Sequence, residues 1–241
     1  MRAKDAFLPT PFADFYAVKP QRFNDVLFML KNGYAYAQDP STSFAVNAVS
    51  FCAGQNVLDL CAAPGGKSAY IADILNQKNA EKNTASLLVS CDLPNKRFET
   101  LKANFAVRKF SNLKTKQVAF DLLKDDMAAK LEDSALPLQY DVVFLDAPCS
   151  NTGVLGRRAD ARYRLAEHDI QNCAEIQRQM FFKALNFVKK GGVIVYSTCS
   201  IDALENTENV AEFAKSAKLI ESAIVLPAAD NDGAGYAVFK K

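Results

Sequence analysis

Several common chemistries lack their materials in this sequence. A single histidine is present, and no two cysteines are spaced as C-x-x-C, so a zinc site has little to draw on and no metal is expected. The 29 basic residues are nearly matched by 27 acidic ones. A net charge of +2 does not by itself mark a nucleic-acid binder, and any such surface must be local. No apolar run approaches membrane-spanning length. The first residues, Met1-Arg2-Ala3-Lys4-Asp5, carry an acid and no apolar segment, so they do not read as a secretory or transit leader. The 6 cysteines could pair, but this is not a short secreted chain. The expectation is a reduced, cytoplasmic protein of enzyme size.

What is present is one core and a regular rhythm. With 241 residues, 49% of them hydrophobic, the chain can bury a single sizeable core. Residues 1–50 read as a helical lead-in punctuated by Pro9, Pro11 and Pro20. Within it, residues 21–31 place Phe23, Val26, Leu27 and Leu30 at helical spacing, and Ser41 stands where it could cap a helix running toward Phe51. Residues 51–241 read as the main domain. Short apolar runs at 57–60, 87–90, 116–119, 142–145 and 193–196 predict buried strands, and residues 66–75, 95–108 and 170–188 predict helices. This alternation argues for an α/β fold, a mostly parallel sheet covered on both faces. Residues 223–226 and 236–239, joined by a turn containing Asn231, Asp232 and Gly233, predict a terminal antiparallel hairpin. The polar stretch 76–86 reads as an exposed loop.

In an open sheet of this kind, ligands bind outside the carboxyl ends of the strands. Here those ends carry Cys61-Ala62-Ala63-Pro64-Gly65-Gly66-Lys67, then Cys91-Asp92, Phe120-Asp121, Asp146-Ala147-Pro148-Cys149 and Ser197-Thr198-Cys199-Ser200. Acids, cysteines and glycines recurring at every strand end are hard to explain by packing. The first turn would let a ligand approach backbone amides at a helix N-terminus. It is not a phosphate-binding loop, because Cys61 stands where that motif needs glycine, and no G-x-G-x-x-G is present. Asp92 sits where an acid would bind ribose hydroxyls. An acid for ribose without a phosphate signature favours an adenosyl ligand lacking phosphate, and S-adenosylmethionine fits.

These segments resemble the Nop2/Sun (Fmu) family of RNA cytosine-C5 methyltransferases over about residues 33–240. The resemblance rests on Gln38-Asp39-Pro40-Ser41, on the run from Leu58 to Lys67, on Asp146 to Gly153, and on Tyr196-Ser197-Thr198-Cys199-Ser200, which occur in the family's order. It implies a Rossmann-like class I methyltransferase fold with seven strands. It also implies methyl transfer from S-adenosylmethionine to cytosine C5 in rRNA or tRNA through a covalent cysteine–C6 adduct. By resemblance, residues 61–67 hold the methionine part of the cofactor, Asp92 its ribose with Arg97 nearby, and Asp121 approaches the adenine. Asp146 lines the pocket near the base, Cys199 is the nucleophile, Cys149 assists release, and Lys67 is the motif cation nearest the thiols. The family's E-E-N-E run reads Leu204-Glu205-Asn206-Thr207 here, with Thr207 in place of an acid.

The chemistry explains the cysteines. Cytosine C5 is a poor nucleophile, and a thiolate adding to C6 makes it enamine-like. A strand-end acid can stabilise the charge at N3, and a second thiol can assist the release. Arg157, Arg158, Arg162 and Arg164, with Tyr163 among them, suit phosphate contacts and stacking on an exposed base. An RNA substrate, turned out at the target base, is therefore expected, with no membrane. A monomeric chain is expected too, with specificity supplied by RNA shape, a partner protein, or an RNA-binding domain in a missing part of a longer chain. Cys52, Cys91 and Cys173 read as small buried hydrophobes, Cys61 as packing, and His168 as solvent-facing. Two other readings stay open: a methyltransferase of DNA cytosine or protein, and an RNA-assembly factor whose methylation is incidental.

Overall fold

The computed structural model, which describes residues 6–158 and 160–241, begins with a small unit that the sequence pattern did not announce. Strands β1 (Phe7–Pro9) and β2 (Tyr16–Val18) pair antiparallel. Strands of three residues are too short to show a period of two, so the lead-in is not purely helical as expected. Helix α1 (Phe23–Lys31) follows where predicted, and then α2 (Thr42–Asn47). Ser41 precedes α2 but does not cap it. Its backbone is already helical, with φ −57°, whereas a capping residue is ordinarily extended, and its side chain makes no capping hydrogen bond. Asp39 takes over, its Oδ1 accepting from the Ser41 amide at 2.9 Å.

The main sheet is made of β3 (Asn56–Leu60), β4 (Ser86–Asp92), β5 (Leu113–Ala119), β6 (Tyr140–Asp146), β7 (Val188–Thr198), β8 (Lys218–Val225) and β9 (Ala234–Lys240). Their order is β5-β4-β3-β6-β7-β9-β8, parallel from β5 to β7 and antiparallel at β9 and β8. Consecutive strands run outward from β3 in one direction and resume at β6 in the other. The switch between β3 and β6 opens a crevice at their carboxyl ends. Alternate residues feed two cores. Val57, Val142, Phe144 and Val195 pack against α2, α3 (Gly66–Lys82) and α4 (Lys96–Ala106). Leu58, Leu60, Val143, Leu145 and Tyr196 pack against α5 (Met127–Asp133) and, beyond the short α6 (Ala161–Arg164), α7 (Glu167–Leu185) and α8 (Asn209–Phe213).

Several expected boundaries move. Residues 76–82 belong to α3 and are not loop. Asn79 is buried there and its side chain serves Gly54, Ser86 and Asn112, so this polar stretch is structural glue. Helix α7 stops at Leu185, and Val188 already begins β7, with Gly191 (φ 80°) and a register shift separating its two paired stretches. The sequence misplaces this boundary because Phe187 and Val188 prolong the apolar stripe of α7. The terminal hairpin exists, but its strands are longer than predicted and residues 226–233 join them. Cys52 is exposed, on the loop before β3, and Cys173 is only partly covered, whereas Cys91 is buried as expected. Among the described residues, no helix is long and apolar enough to cross a membrane.

Candidate active site

The loop after β3 is held from several sides. Cys61 adopts a left-handed backbone (φ 62°), which turns the chain sharply out of the strand while its side chain packs on the core. The Ala62 amide donates to the Cys91 carbonyl at 2.8 Å, and the Ala63 amide donates to Asp92 Oδ2 at 2.8 Å. Asp92 Oδ1 receives the Leu93 amide at 2.8 Å. Arg97 donates to the Ala63 carbonyl, while Tyr36 (3.0 Å) and Asn104 (2.9 Å) donate to that of Pro64. Gly65 sits at φ 111°, and a Cβ there would lie 2.9 Å from Leu101. The result is a rigid approach to α3, whose N-cap Gly65 offers no side chain. Its first amides are left for another acceptor.

On the far side of the crevice, β6 and β7 bring the two cysteines together. Asp146 Oδ1 receives Ser197 Oγ at 2.8 Å and Lys67 Nζ at 2.8 Å. The side chains of Lys67 and Asp146 are 15% and 30% exposed, so this ion pair is largely shielded. Cys149 Sγ and Cys199 Sγ are 2.9 Å apart, and Cys199 Sγ is 3.0 Å from Asn151 Oδ1. The hydrogen bond from Cys149 holds the Cys199 thiol below its ordinary range against the cost of burial; Lys67 helps and Asp146 opposes. The same hydrogen bond, with burial, pushes Cys149 up. Lys67 is thus a secondary cause of Cys199 activation. Burial works against its own charge, but Asp146 outweighs this and raises its pKa.

Asp121 lies at the end of β5, its Oδ1 accepting the Leu123 amide at 2.9 Å. Behind the loop, Asp59 is fully buried and bonded to Ser68, with Oδ1 unpartnered; burial pushes its pKa to about 7. His168 is exposed, as expected. The arginines divide. Arg157 pairs with Asp39 and with Asp232 (3.0 Å), tying the lead-in to the terminal loop, so its charge is committed to partners in the protein although the side chain is exposed. Arg164 pairs with neighbouring Asp160, Arg158 and Arg162 are exposed, and Tyr163 is 91% exposed.

Two side chains that the sequence reading left without a role complete the site: Glu205, in a π-helical turn (Leu204–Glu208), and Gln177 on α7. Both are fully buried. Gln177 carried a signal, as the polar member of a stripe with Ala174, Phe181 and Ala184. Thr207, the departure from the acidic run, is exposed and faces away from the cysteines' support.

A parallel sheet with its crevice at a switch point, two antiparallel terminal strands and a glycine turn without a phosphate signature define a class I methyltransferase. The chain belongs to the 16S rRNA methyltransferase RsmB/F family, whose model matches residues 47–238. It is 33% identical over 221 residues to ribosomal RNA small subunit methyltransferase B of Vibrio vulnificus, covering 88% of this chain and 48% of that protein. The Shewanella oneidensis protein of the same name is 32% identical over 181 residues, covering 75% and 38%. The chain therefore spans less than half the length of these curated relatives. Among solved structures, NSun6 from Pyrococcus horikoshii with SFG superposes with a TM-score of 0.72 at 25% identity, covering 97% of this chain and 56% of that one. PH0851 superposes with a TM-score of 0.81 at 24% identity, covering 98% and 54%, and supports the fold.

Methyltransferases of this family take S-adenosylmethionine as cofactor. The residues present fit it. The crevice rim carries the acids Asp92, Asp121 and Asp146, while Lys67 is neutralised by Asp146 and Arg97 is spent on a carbonyl. Acids without an uncommitted cation suit ribose hydroxyls and a sulfonium better than a pyrophosphate.

Proposed function

We propose that this protein methylates carbon 5 of a cytosine in RNA, with rRNA as the first substrate class to test and tRNA as the second. The carrying observation is the contact of Cys149 and Cys199, 2.9 Å apart at the ends of adjacent strands, beside the Lys67–Asp146 pair. Residues 51–241 are the catalytic domain in this reading, with 1–50 as its lead-in, of which Tyr36 and Asn47 bond the domain at Pro64 and Tyr70.

The cofactor supplies an electrophilic methyl group. Gly65, Gly66 and the first amides of α3 would receive its carboxylate, the backbone of residues 61–64 would shape its methionine part, and Asp92 and Asp121 would bind the ribose and approach the adenine. Arg97 acts here by holding the Ala63 carbonyl. Cys199, as thiolate, adds to C6 of the flipped base, which places electron density on C5 for methyl transfer. Asp146, held by Lys67 and Ser197, would accept a hydrogen bond from the base, and the Lys67 ammonium beside it would offset negative charge developing on the ring. Once Cys199 is bonded to C6, Cys149 gives its own proton to solvent, takes the C5 proton as thiolate, and the C5 electron pair forms the C5–C6 double bond as the C6–sulfur bond breaks and Cys199 leaves as thiolate. Arg158, Arg162 and Arg164, with Tyr163, form the RNA-facing rim, and Arg157, held by Asp39 and Asp232, flanks them. Specificity comes from a partner protein or domain, because the chain's own charge is nearly balanced.

The test is nucleoside mass spectrometry of rRNA and tRNA incubated with labelled cofactor. The expected product is labelled 5-methylcytidine, lost in Cys199→Ala. Label on another base, on DNA cytosine or on protein would overturn the reading.

A further inference from the structure

Glu205 is an unusual residue to find at zero exposure, since a buried carboxylate is costly unless its oxygens are met by donors. Here they are. Oε1 accepts the Ser150 amide at 2.9 Å and Gln177 Nε2 at 2.8 Å, and Oε2 accepts the Ser150 hydroxyl. Gln177 Nε2 also donates to the Pro148 carbonyl at 2.9 Å. The two peptide groups that flank Cys149 are therefore both fixed, one by Glu205 directly and one through Gln177. Glu205 itself is anchored on the turn that follows Cys199, where its own carbonyl lies 2.6 Å from the Tyr196 hydroxyl. One side chain thus stitches the loop of the first cysteine to the segment of the second.

We infer that Glu205 is a positioning residue whose buried carboxylate aims Cys149 at Cys199 and whose charge keeps Cys149 the less reactive sulfur of the pair. This rests on the proposed chemistry for its purpose, though not for its measurement. The charge acts in the required direction, adding to the hydrogen bond and burial that raise the Cys149 thiol. The other ionisable groups around the pair are Lys67 and Asp146 on the sheet side, Cys173 and Arg178 on α7, and Tyr196 beneath. Asp169 also acts on Cys173, whereas Glu205 is the carboxylate that bonds the Cys149 loop directly. The attacking sulfur must react first and the release residue only after the adduct has formed, and an uncharged bridge at 205 would fix the position without setting that order.

The experiment is residue-resolved alkylation of the whole free protein with iodoacetamide between pH 6 and 10, read by mass spectrometry at low conversion. In the wild type, Cys199 reacts first and Cys149 lags. Glu205→Gln can keep the bridge, because the Ser150 hydroxyl is able to accept as well as donate. It should retain the thermal midpoint while Cys149 reacts about 3–10-fold faster at pH 8, as expected for losing one nearby charge. Glu205→Ala should erase the preference between the two sulfurs. If neither variant folds, Ser150→Ala, which deletes one donor and leaves the charge, should speed Cys149 alkylation about twofold by loosening its loop. Unchanged relative rates in whichever of these variants fold overturn the inference. Because no RNA is used, failure here is separate from failure of the methylation reading, which shows as absence of 5-methylcytidine from the wild type.

Discussion

The two halves of the sheet's carboxyl edge are built from different materials. At the ends of β3 and β4 the working surface is mainly backbone: a left-handed residue, two glycines and a helix start, locked by Asp92, Arg97, Tyr36 and Asn104. At the ends of β6 and β7 it is side chain: two sulfurs and an ion pair, held up by a buried network of Glu205, Gln177, Tyr196 and Asn206. A ligand whose shape is always the same can be read by fixed amides. A pair of thiols that must exchange a proton needs tunable charges nearby. The difference teaches that binding and chemistry are separable here, and substitutions should separate them.

The largest effect should come from cutting the ion pair that joins the halves, Lys67 with Asp146. Lys67→Met leaves Asp146 unpaired and removes a charge that favours the Cys199 thiolate. Turnover should fall about 100-fold or more, as for loss of an electrostatic group near the reacting atoms. Since the Cys199 pKa then rises, the ascending limb of the pH–rate profile should move to higher pH. A variant that binds cofactor normally and shows an unmoved limb would break the assignment.

Gly153→Ala tests the chemical half by packing alone. A Cβ there would press on the Gly233 carbonyl and lie 2.7 Å from the Cys199 carbonyl. Destabilisation of about 1–3 kcal/mol is expected by denaturant titration. Asp59→Asn tests the binding half through pH. With its folded pKa near 7 and an ordinary unfolded value of 3.8, Asp59 binds its proton more tightly when folded. Its contribution to stability is therefore full at acid pH and is lost as pH rises from about 4 to 7, with a slope of at most about 1.4 kcal/mol per pH unit. That component should vanish in the asparagine variant.

The smallest effects concern the arginines, and there the comparison is between neighbours. Arg157→Gln should lower stability by at most about 1 kcal/mol, because Arg157 is 60% exposed and solvent screens its pairs with Asp39 and Asp232. Arg158→Gln should leave stability unchanged and reduce the salt slope of RNA binding by about 0.7. Exchange of these two outcomes would reverse their roles.

Much of this arrangement was legible before the fold was seen. The five parallel strands, the glycine turn and the two cysteine loops are local patterns, each complete within a dozen residues. What escaped is non-local or short. Strands β1 and β2 have three residues each, and the end of α7 was hidden by Phe187 and Val188. Arg157 looked like its neighbours because Asp39 and Asp232, which claim it, lie 118 and 75 positions away in sequence. Glu205 was in view, within the acidic run after Cys199, but attention fell on Thr207, which the fold turns outward. No spacing rule marks a glutamate whose three donors come from Ser150 and Gln177.

The division of labour between the sulfurs is the central claim, and the Cys149→Ala protein tests it most directly. It would be incubated with substrate RNA and S-adenosylmethionine, denatured, and run on a gel beside Cys199→Ala. The account predicts a covalent protein–RNA band, carrying methylated cytosine, in Cys149→Ala alone. The same band in Cys199→Ala alone would contradict it.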